Sequence, residues 1–523
     1  MPSRLLRNTA QVGLFTLLSR ILGLVRDVLM ARYLGAGVIN DALVTAMKLP
    51  NLFRRMFAEG AFNAAFVPLY ARELEERGEA SAQRFAGEAF AALALLTLII
   101  VVAFELTMPV SLNMVGFGLD RAGESDPAPY DLAVTYARLT MPYLFFMSVG
   151  ALLSGMLNTH NRFMAAAFAP VLLNILLIGI LLVSPNFAWS LPELARWVSL
   201  GMSVSGIAQV VLLVVALKRA GLGFRIPRPR LSPGVRRLVA LGLPGLVAAG
   251  ITQINATVSH TIATIQDSAA SWLYYSDRLY QLPLGLIGIA MGIALLPSLS
   301  RSLRAGREQE ADYTQNRGLE FAMLLTIPAA VALFVLPEFL IKGLFERGLF
   351  EASDTVQASR ALRMFALGLP AFVLLKVITP AFFAREDTRT PMVWAGISAV
   401  VNLALGASLF FFGPGFVGLA LATSVAAWVN VLGLAAILRA RGTFHLDARL
   451  RSRLPRIALA SALLGGALWW MRPAATARLS GPLLEDYLWL LVVSAAGALA
   501  FVVLAFALGA VKRSELKAVL AKG

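Results

Sequence analysis

The run FAGEAFAALALLTLIIVVAFELTMPV at residues 85–110 decides the fold class. It is a mainly apolar block longer than the roughly 20 residues that an α-helix needs to cross a bilayer. Blocks of this kind recur along the chain with short polar breaks. The pattern places helices at 10–33, 39–70, 85–110, 130–157, 163–184, 192–217, 234–263, 270–300, 314–341, 355–383, 390–412, 415–439, 454–471 and 485–511. The expectation is an all-α polytopic membrane protein with fourteen transmembrane helices.

Composition agrees. Of 523 residues, 58% are hydrophobic and 15% charged, against roughly 45–50% and 25% in soluble domains. One soluble core cannot absorb that much apolar surface, because cores stop growing near about 250–300 residues. The chain has no cysteine, which removes disulfides, zinc thiolates and thiol nucleophiles. His160, His260 and His445 are too scattered for a metal cluster. Arg20 interrupts what would otherwise be a signal-peptide core, so the first helix reads as retained.

The net charge of +16 is explained by topology. Arg4, Arg7, Arg72, Arg77, Arg162, Lys218, Arg228, Arg304, Arg385, Arg441 and Arg451 fall on one side, while Arg121, Arg196, Lys342 and Arg472 are among the few on the other. Both termini are therefore expected in the cytoplasm. No basic cluster is interleaved with aromatics, and no nucleic-acid partner is expected.

An internal repeat is visible. Pro142 and Asn174 lie 32 residues apart, as do Pro370 and Asn402, and the pairs are offset by 228. Phe66-Val67-Pro68-Leu69 is echoed by Leu295-Leu296-Pro297-Ser298 at an offset of 229. Two parallel lobes follow, 1–217 with helices one to six and 234–440 with helices seven to twelve. The pair at 454–511 has no counterpart. Parallel repeats mark transporters that hold ligand between their halves.

Charges inside the spans carry the chemistry. On a helical wheel Thr16, Ser19, Arg20, Gly23, Arg26 and Asp27 share one arc. Asp41, Lys48, Asn51, Arg55, Glu59 and Asn63 share a second face with Arg54 at its edge. Ser271, Tyr274, Arg278 and Gln281 form a stripe with Asp277 beside it. Each lipid-facing charge costs about 2.5–3.5 kcal/mol, so these faces belong against protein or water. Buried ion pairs such as Arg26 with Asp27 are one account. The other starts from the excess of arginine over Asp27 and Glu59: a planar guanidinium fork suits phosphate oxygens, so the excess points to a phosphate or pyrophosphate ligand. Asn174 and Asn402 fit either an ion site or helix packing.

These residues also carry a likeness. Ser19-Arg20-Ile21-Leu22-Gly23, Arg26-Asp27, Asp41-Ala42, Lys48-Leu49-Pro50-Asn51, Arg54-Arg55 and Ala58-Glu59-Gly60-Ala61-Phe62 resemble the MviN/MurJ-type lipid II flippase family. Tyr274-Tyr275-Ser276-Asp277-Arg278-Leu279 and Leu295-Leu296-Pro297-Ser298 resemble its second-half motifs. The likeness covers nearly the whole chain. It implies the fold of the multidrug/oligosaccharidyl-lipid/polysaccharide exporter superfamily, two pseudo-symmetric six-helix lobes plus two C-terminal helices. The implied cargo is lipid II, the undecaprenyl-pyrophosphate-linked peptidoglycan precursor, carried from the cytoplasmic to the periplasmic leaflet of the inner membrane.

Residue by residue, the resemblance implies substrate binding by Ser19, Arg20, Arg26, Asp27, Arg54 and Arg278, and gating by Asp41, Asn51, Glu59 and Ser271. The expected partners are lipid II and membrane lipids, with room for a coupling cation that the sequence does not identify. No catalytic group, metal or cofactor is expected. The pair after residue 454 either forms a groove for a prenyl tail or plugs a surface. An exporter of another polyprenyl-linked saccharide or of drugs is the alternative function, although cationic drugs call for acidic helix faces. A membrane prenyl-phosphate enzyme would need paired carboxylates at the cytoplasmic face, and the basic loops offer none.

Overall fold

Apolar spans and proline-marked breaks organise the chain, and a computed structural model describes residues 2–57, 61–121, 129–479 and 481–511. Among the described residues every regular element is helical. The first half holds α1 (Pro2–Leu34), α2 (Val38–Phe57), α3 (Ala61–Arg77), α4 (Glu79–Gly116), α5 (Pro129–Thr140), α6 (Tyr143–Thr159), α7 (Phe163–Phe187), α8 (Leu191–Arg219) and α9 (Pro233–Ala263). The second holds α10 (Ala269–Arg304), α11 (Glu308–Val335), α12 (Pro337–Phe345), α13 (Ala352–Phe383), α14 (Arg389–Phe412), α15 (Phe416–Ala440), α16 (Ala448–Ala477) and α17 (Leu483–Ala507).

Each of the fourteen expected spans has a helix or helix pair at its place. The fourth divides into α5 and α6 at Met141-Pro142, because proline lacks the N–H that would continue the ladder. Pro337 opens α12 in the same way, at a first turn where no N–H is needed. Polar caps set other starts. The Ser190 N–H donates to Glu193 Oε2 at 2.8 Å ahead of α8, and Asp447 Oδ1 accepts the Leu450 N–H at 2.6 Å ahead of α16.

Ten helices or joined helices among the described residues are long and apolar enough to cross a membrane. Their outer faces expose Phe412 at 92%, Trp470 at 80% and Leu106 at 78%. Surface of that kind is stable only in hydrocarbon, so the chain is a multi-span membrane protein. The charged helices α1 and α2 are not among the ten.

The chain folds as two compact units, Met1–Ser271 and Trp272–Gly523. In the first, α1 packs on α7, α2 on α5 and α9, and α3 on α4 and α9. Its centre stacks Phe62, Phe66 and Tyr70, with Phe85 against Phe66. The connector from α8 to α9 lies along α4. A Cβ on Gly87 would stand 2.2 Å from the Arg225 carbonyl oxygen, so only glycine admits that backbone. Beside it Glu88 accepts Arg230 Nη2 at 2.7 Å and Ser232 Oγ at 2.6 Å, and Phe224 meets Phe90 with ring centres 5.3 Å apart.

In the second unit α13 packs on α11 and α15, α14 on α15, and α16 on α11 and α17. Gly368 brings α13 onto Ser424 of α15, where a Cβ would meet Oγ at 2.5 Å. Small residues at such crossings let helices close without a water-driven force.

Candidate functional site

The α1 arc is divided by its surroundings. Ser19, Gly23 and Arg26 follow helical spacing and turn towards α7. There Arg26 Nη1 donates to Asn174 Oδ1 at 3.1 Å, and Asn174 Nδ2 donates to the Ser19 carbonyl at 2.9 Å. Arg26 also grips its neighbour: Nε and Nη2 donate to Asp27 Oδ1 at 3.0 and 2.7 Å. The ion pair is largely buried, with 13% of the Arg26 side chain and 3% of the Asp27 side chain exposed. Arg20 is exposed on its unit and, among the described residues, makes no ion pair or hydrogen bond. Thr16 satisfies itself on the Val12 carbonyl.

On α2, Asp41, Thr45 and Lys48 share a face, being four and three residues apart. Asp41 Oδ1 accepts the Ser271 N–H at 2.7 Å and also its hydroxyl. Asn40 Nδ2 donates to the same hydroxyl at 2.8 Å. One turn on, Thr45 Oγ1 and His260 Nε2 of α9 share a hydrogen bond of 3.0 Å. All five side chains are buried. Towards the other end of α2, Asn51 Nδ2 bonds the Met47 carbonyl and Asn51 Oδ1 accepts from Arg54 Nε at 3.1 Å. The exposed Arg55 reaches Gln253 Oε1 of α9 at 3.4 Å. Asp41 and Arg54 are about 20 Å apart along the helix axis, so the carboxylate end and the arginine end are separate places.

In the second unit the Arg278 guanidinium lies 4.7 Å from the centre of the Tyr274 ring, and its Nη2 donates to the Tyr274 hydroxyl at 3.1 Å. Stacking of this kind holds a cation without neutralising it. Asp277 accepts from Gln281 one turn on. A second charge cluster joins α11 to α16. Glu320 is buried and accepts from Arg317 and Arg453 and, at 3.0 and 3.1 Å, from Arg449. Arg317 also bonds Asp447. Arg347 pairs with Asp486 of α17 at 2.8 Å. The C-terminal helix pair is thus tied to the second unit by ion pairs as well as by apolar packing.

The structure joins Ser19, Arg26 and Asp27 through one network, Asp41 with Ser271, and Asn51 with Arg54. Glu59 lies outside the described residues. Arg26 with Asp27 is the ion pair weighed from the sequence, and Asp41 is bonded within its own unit. Sequence reasoning gave no role in the site to Asn40, Thr45, Gln253 and His260, and it left Asn174 open. Their partners lie roughly 150 to 230 residues away, which no local periodicity reports. The one available signal was the repeat, which did single out Asn174.

Comparison with known proteins starts from the family model "Lipid II flippase MurJ", which matches residues 30–482. The chain belongs to the MurJ family. A probable lipid II flippase MurJ of Rhizobium meliloti (strain 1021) is 43% identical over 530 residues, covering 99% of this chain and 97% of its relative. The corresponding protein of Vibrio cholerae is 35% identical, with 99% and 98% covered. A solved structure of lipid II flippase MurJ in an inward closed conformation matches this MurJ-family chain with a TM-score of 0.77 and 26% identity, covering 94% of this chain and 97% of that one. An inward-facing multidrug resistance MATE transporter of the MOP superfamily matches at 0.64 with 15% identity, covering 81% and 95%, a likeness of fold alone.

Proposed function

We propose that the chain is a flippase that moves undecaprenyl-pyrophosphate-linked peptidoglycan precursor, lipid II, from the cytoplasmic to the periplasmic leaflet by alternating access. It is a transporter and not an enzyme. The observation that carries this reading is family membership across nearly the full length, from a relative 43% identical over 99% of the chain. The arginines support it chemically. Arg20, Arg26 and Arg54 of the first unit and Arg278 of the second are the groups we assign to the pyrophosphate, with Asp27, and Ser19 through Asn174, setting Arg26. A guanidinium keeps its charge at every working pH, so cargo release comes from conformational change and not from deprotonation.

Asp41, Asn51, Glu59 and Ser271 are assigned to gating, and a coupling cation is compatible with this scheme. The lobes of the repeat are assigned to 1–217 and 234–440, with 454–511 as an added pair. We place the protein in the inner membrane with both termini in the cytoplasm, on the arginine bias of the loops. A drug exporter for cations is the weaker reading, because the polar faces are rich in arginine. The test is translocation of labelled lipid II by the purified protein in liposomes. Transport dependent on Arg20 and Arg278 is expected, and absence of transport by active, folded protein overturns the reading.

A further inference from the structure

We infer that Asn174 is a positioning residue for Arg26: from α7 it fixes the direction in which the guanidinium is presented to an anionic cargo. The inference rests on the assignment of Arg26 to the pyrophosphate and deepens it.

The hydrogen bonds leave the amide one orientation. A guanidinium only donates and a carbonyl only accepts, so Oδ1 must face Arg26 and Nδ2 must face Ser19. Both contacts are made, at 3.1 and 2.9 Å, and Asn174 is 5% exposed. Gly23 lies under the amide, where a Cβ would stand 3.8 Å from Nδ2, so the amide rests on the helix at van der Waals distance. Asp27 holds Arg26 through Nε and Nη2. Asn174 takes Nη1, on a different helix. Two anchors on different helices constrain the guanidinium from two sides. An arginine already held in its binding geometry loses less freedom when a phosphate arrives. A neutral amide suits this task, since a carboxylate there would cancel the charge that the cargo needs.

The second half of the repeat makes the contrast. Asn402 stands at the equivalent place, but the positions matching Arg26 are Ile254 and Asn255. Asn402 Oδ1 accepts from Thr423 Oγ1 at 3.3 Å. An arginine at this register is particular to the first half.

The experiment is binding of lipid II to the full-length protein in detergent, read by native mass spectrometry, for Asn174→Leu, Asn174→Asp, Arg26→Ala and the double variant Arg26→Ala/Asn174→Leu. Asn174→Leu should weaken binding about five- to tenfold, the value of one hydrogen bond. Asn174→Asp keeps the shape, ties Arg26 into a second ion pair and should weaken binding further. In the Arg26→Ala background Asn174→Leu should change binding less than about twofold, since its effect runs through Arg26. If Arg26→Ala weakens binding and the Asn174 variants bind as wild type, the positioning role is wrong and the anion assignment stands. If Arg26→Ala itself binds as wild type, both fall. A full additional loss in the double variant also overturns the positioning role, because Asn174 then acts on its own.

Discussion

Asp41, near the start of α2, accepts the backbone N–H of Ser271 at 2.7 Å as well as its hydroxyl. Ser271 stands in the first turn of its helix, where N–H groups have no intrahelical partner and carry partial positive charge. The carboxylate thus serves as a cap supplied from more than 200 residues earlier in the chain. Asp41→Ala removes it and leaves buried donors unmet, at a cost of about 1–3 kcal/mol. Thermal unfolding in detergent should show the loss. Ser271→Ala in the same protein should then add less than it does alone, and full additivity would show that the pair is not coupled.

Alanine at Arg20, Arg26 or Arg278 should cripple growth of cells that depend on the chain, at normal expression by immunoblot. On the proposed assignment each would lose a charge-assisted contact to the cargo, worth on the order of 1.5–3 kcal/mol. Lysine should rescue Arg26 poorly, because the fork that meets Asp27 and Asn174 cannot be made by an ammonium. Arg228 and Arg451 are exposed and should tolerate alanine. Tolerance of alanine at all three would overturn their assignment to the pyrophosphate.

Glu320 faces Arg317, Arg449 and Arg453, with 9% of its side chain and 6% of the Arg453 side chain exposed. Glu320→Gln should destabilise by about 3–5 kcal/mol, since it strands a buried guanidinium. Arg453→Met in that background should recover part of the loss. The readout is proteolysis of the 441–447 segment that precedes α16. Unchanged resistance in the single variant would mean that the cluster does not hold the C-terminal pair.

Asp387, in the turn before α14, titrates at about 2 instead of 3.8, held down by the Thr390 N–H, the Thr390 hydroxyl and Arg441. A depressed carboxylate stabilises the fold fully above its unfolded value and loses that contribution as pH falls through its folded value. Asp387→Ala should therefore lower stability at pH 7 by on the order of 1 kcal/mol after solvent screening. The gap to wild type should close between about pH 4 and pH 2. A gap that persists at pH 2 would assign the loss to something other than ionisation.

Hydropathy made the spans legible because the bilayer imposes one length on every helix that crosses it. It could not report the division at Met141-Pro142, where proline changes hydrogen bonding without changing polarity. For the site, the wheel put Arg20 and Arg26 at opposite edges of one arc of about 120°. It could not separate them by surroundings: one meets Asn174, while the other is exposed. Adjacent residues such as Arg26 and Asp27 reveal their pairing locally. Thr45 and His260 do not, because only the packing of α2 on α9 brings them together.

The strapping of residues 220–232 onto α4 alters how force passes through the chain. A free segment of that length would wander over roughly 20 Å and absorb displacement like slack rope. Nailed at Gly87 and Glu88, it behaves as a brace, and a push on α4 reaches the start of α9 with little lost motion. A tag or cleavage sequence inserted there would not merely lengthen a tether. It would break a linkage, and Gly87→Val should do the same with a single side chain.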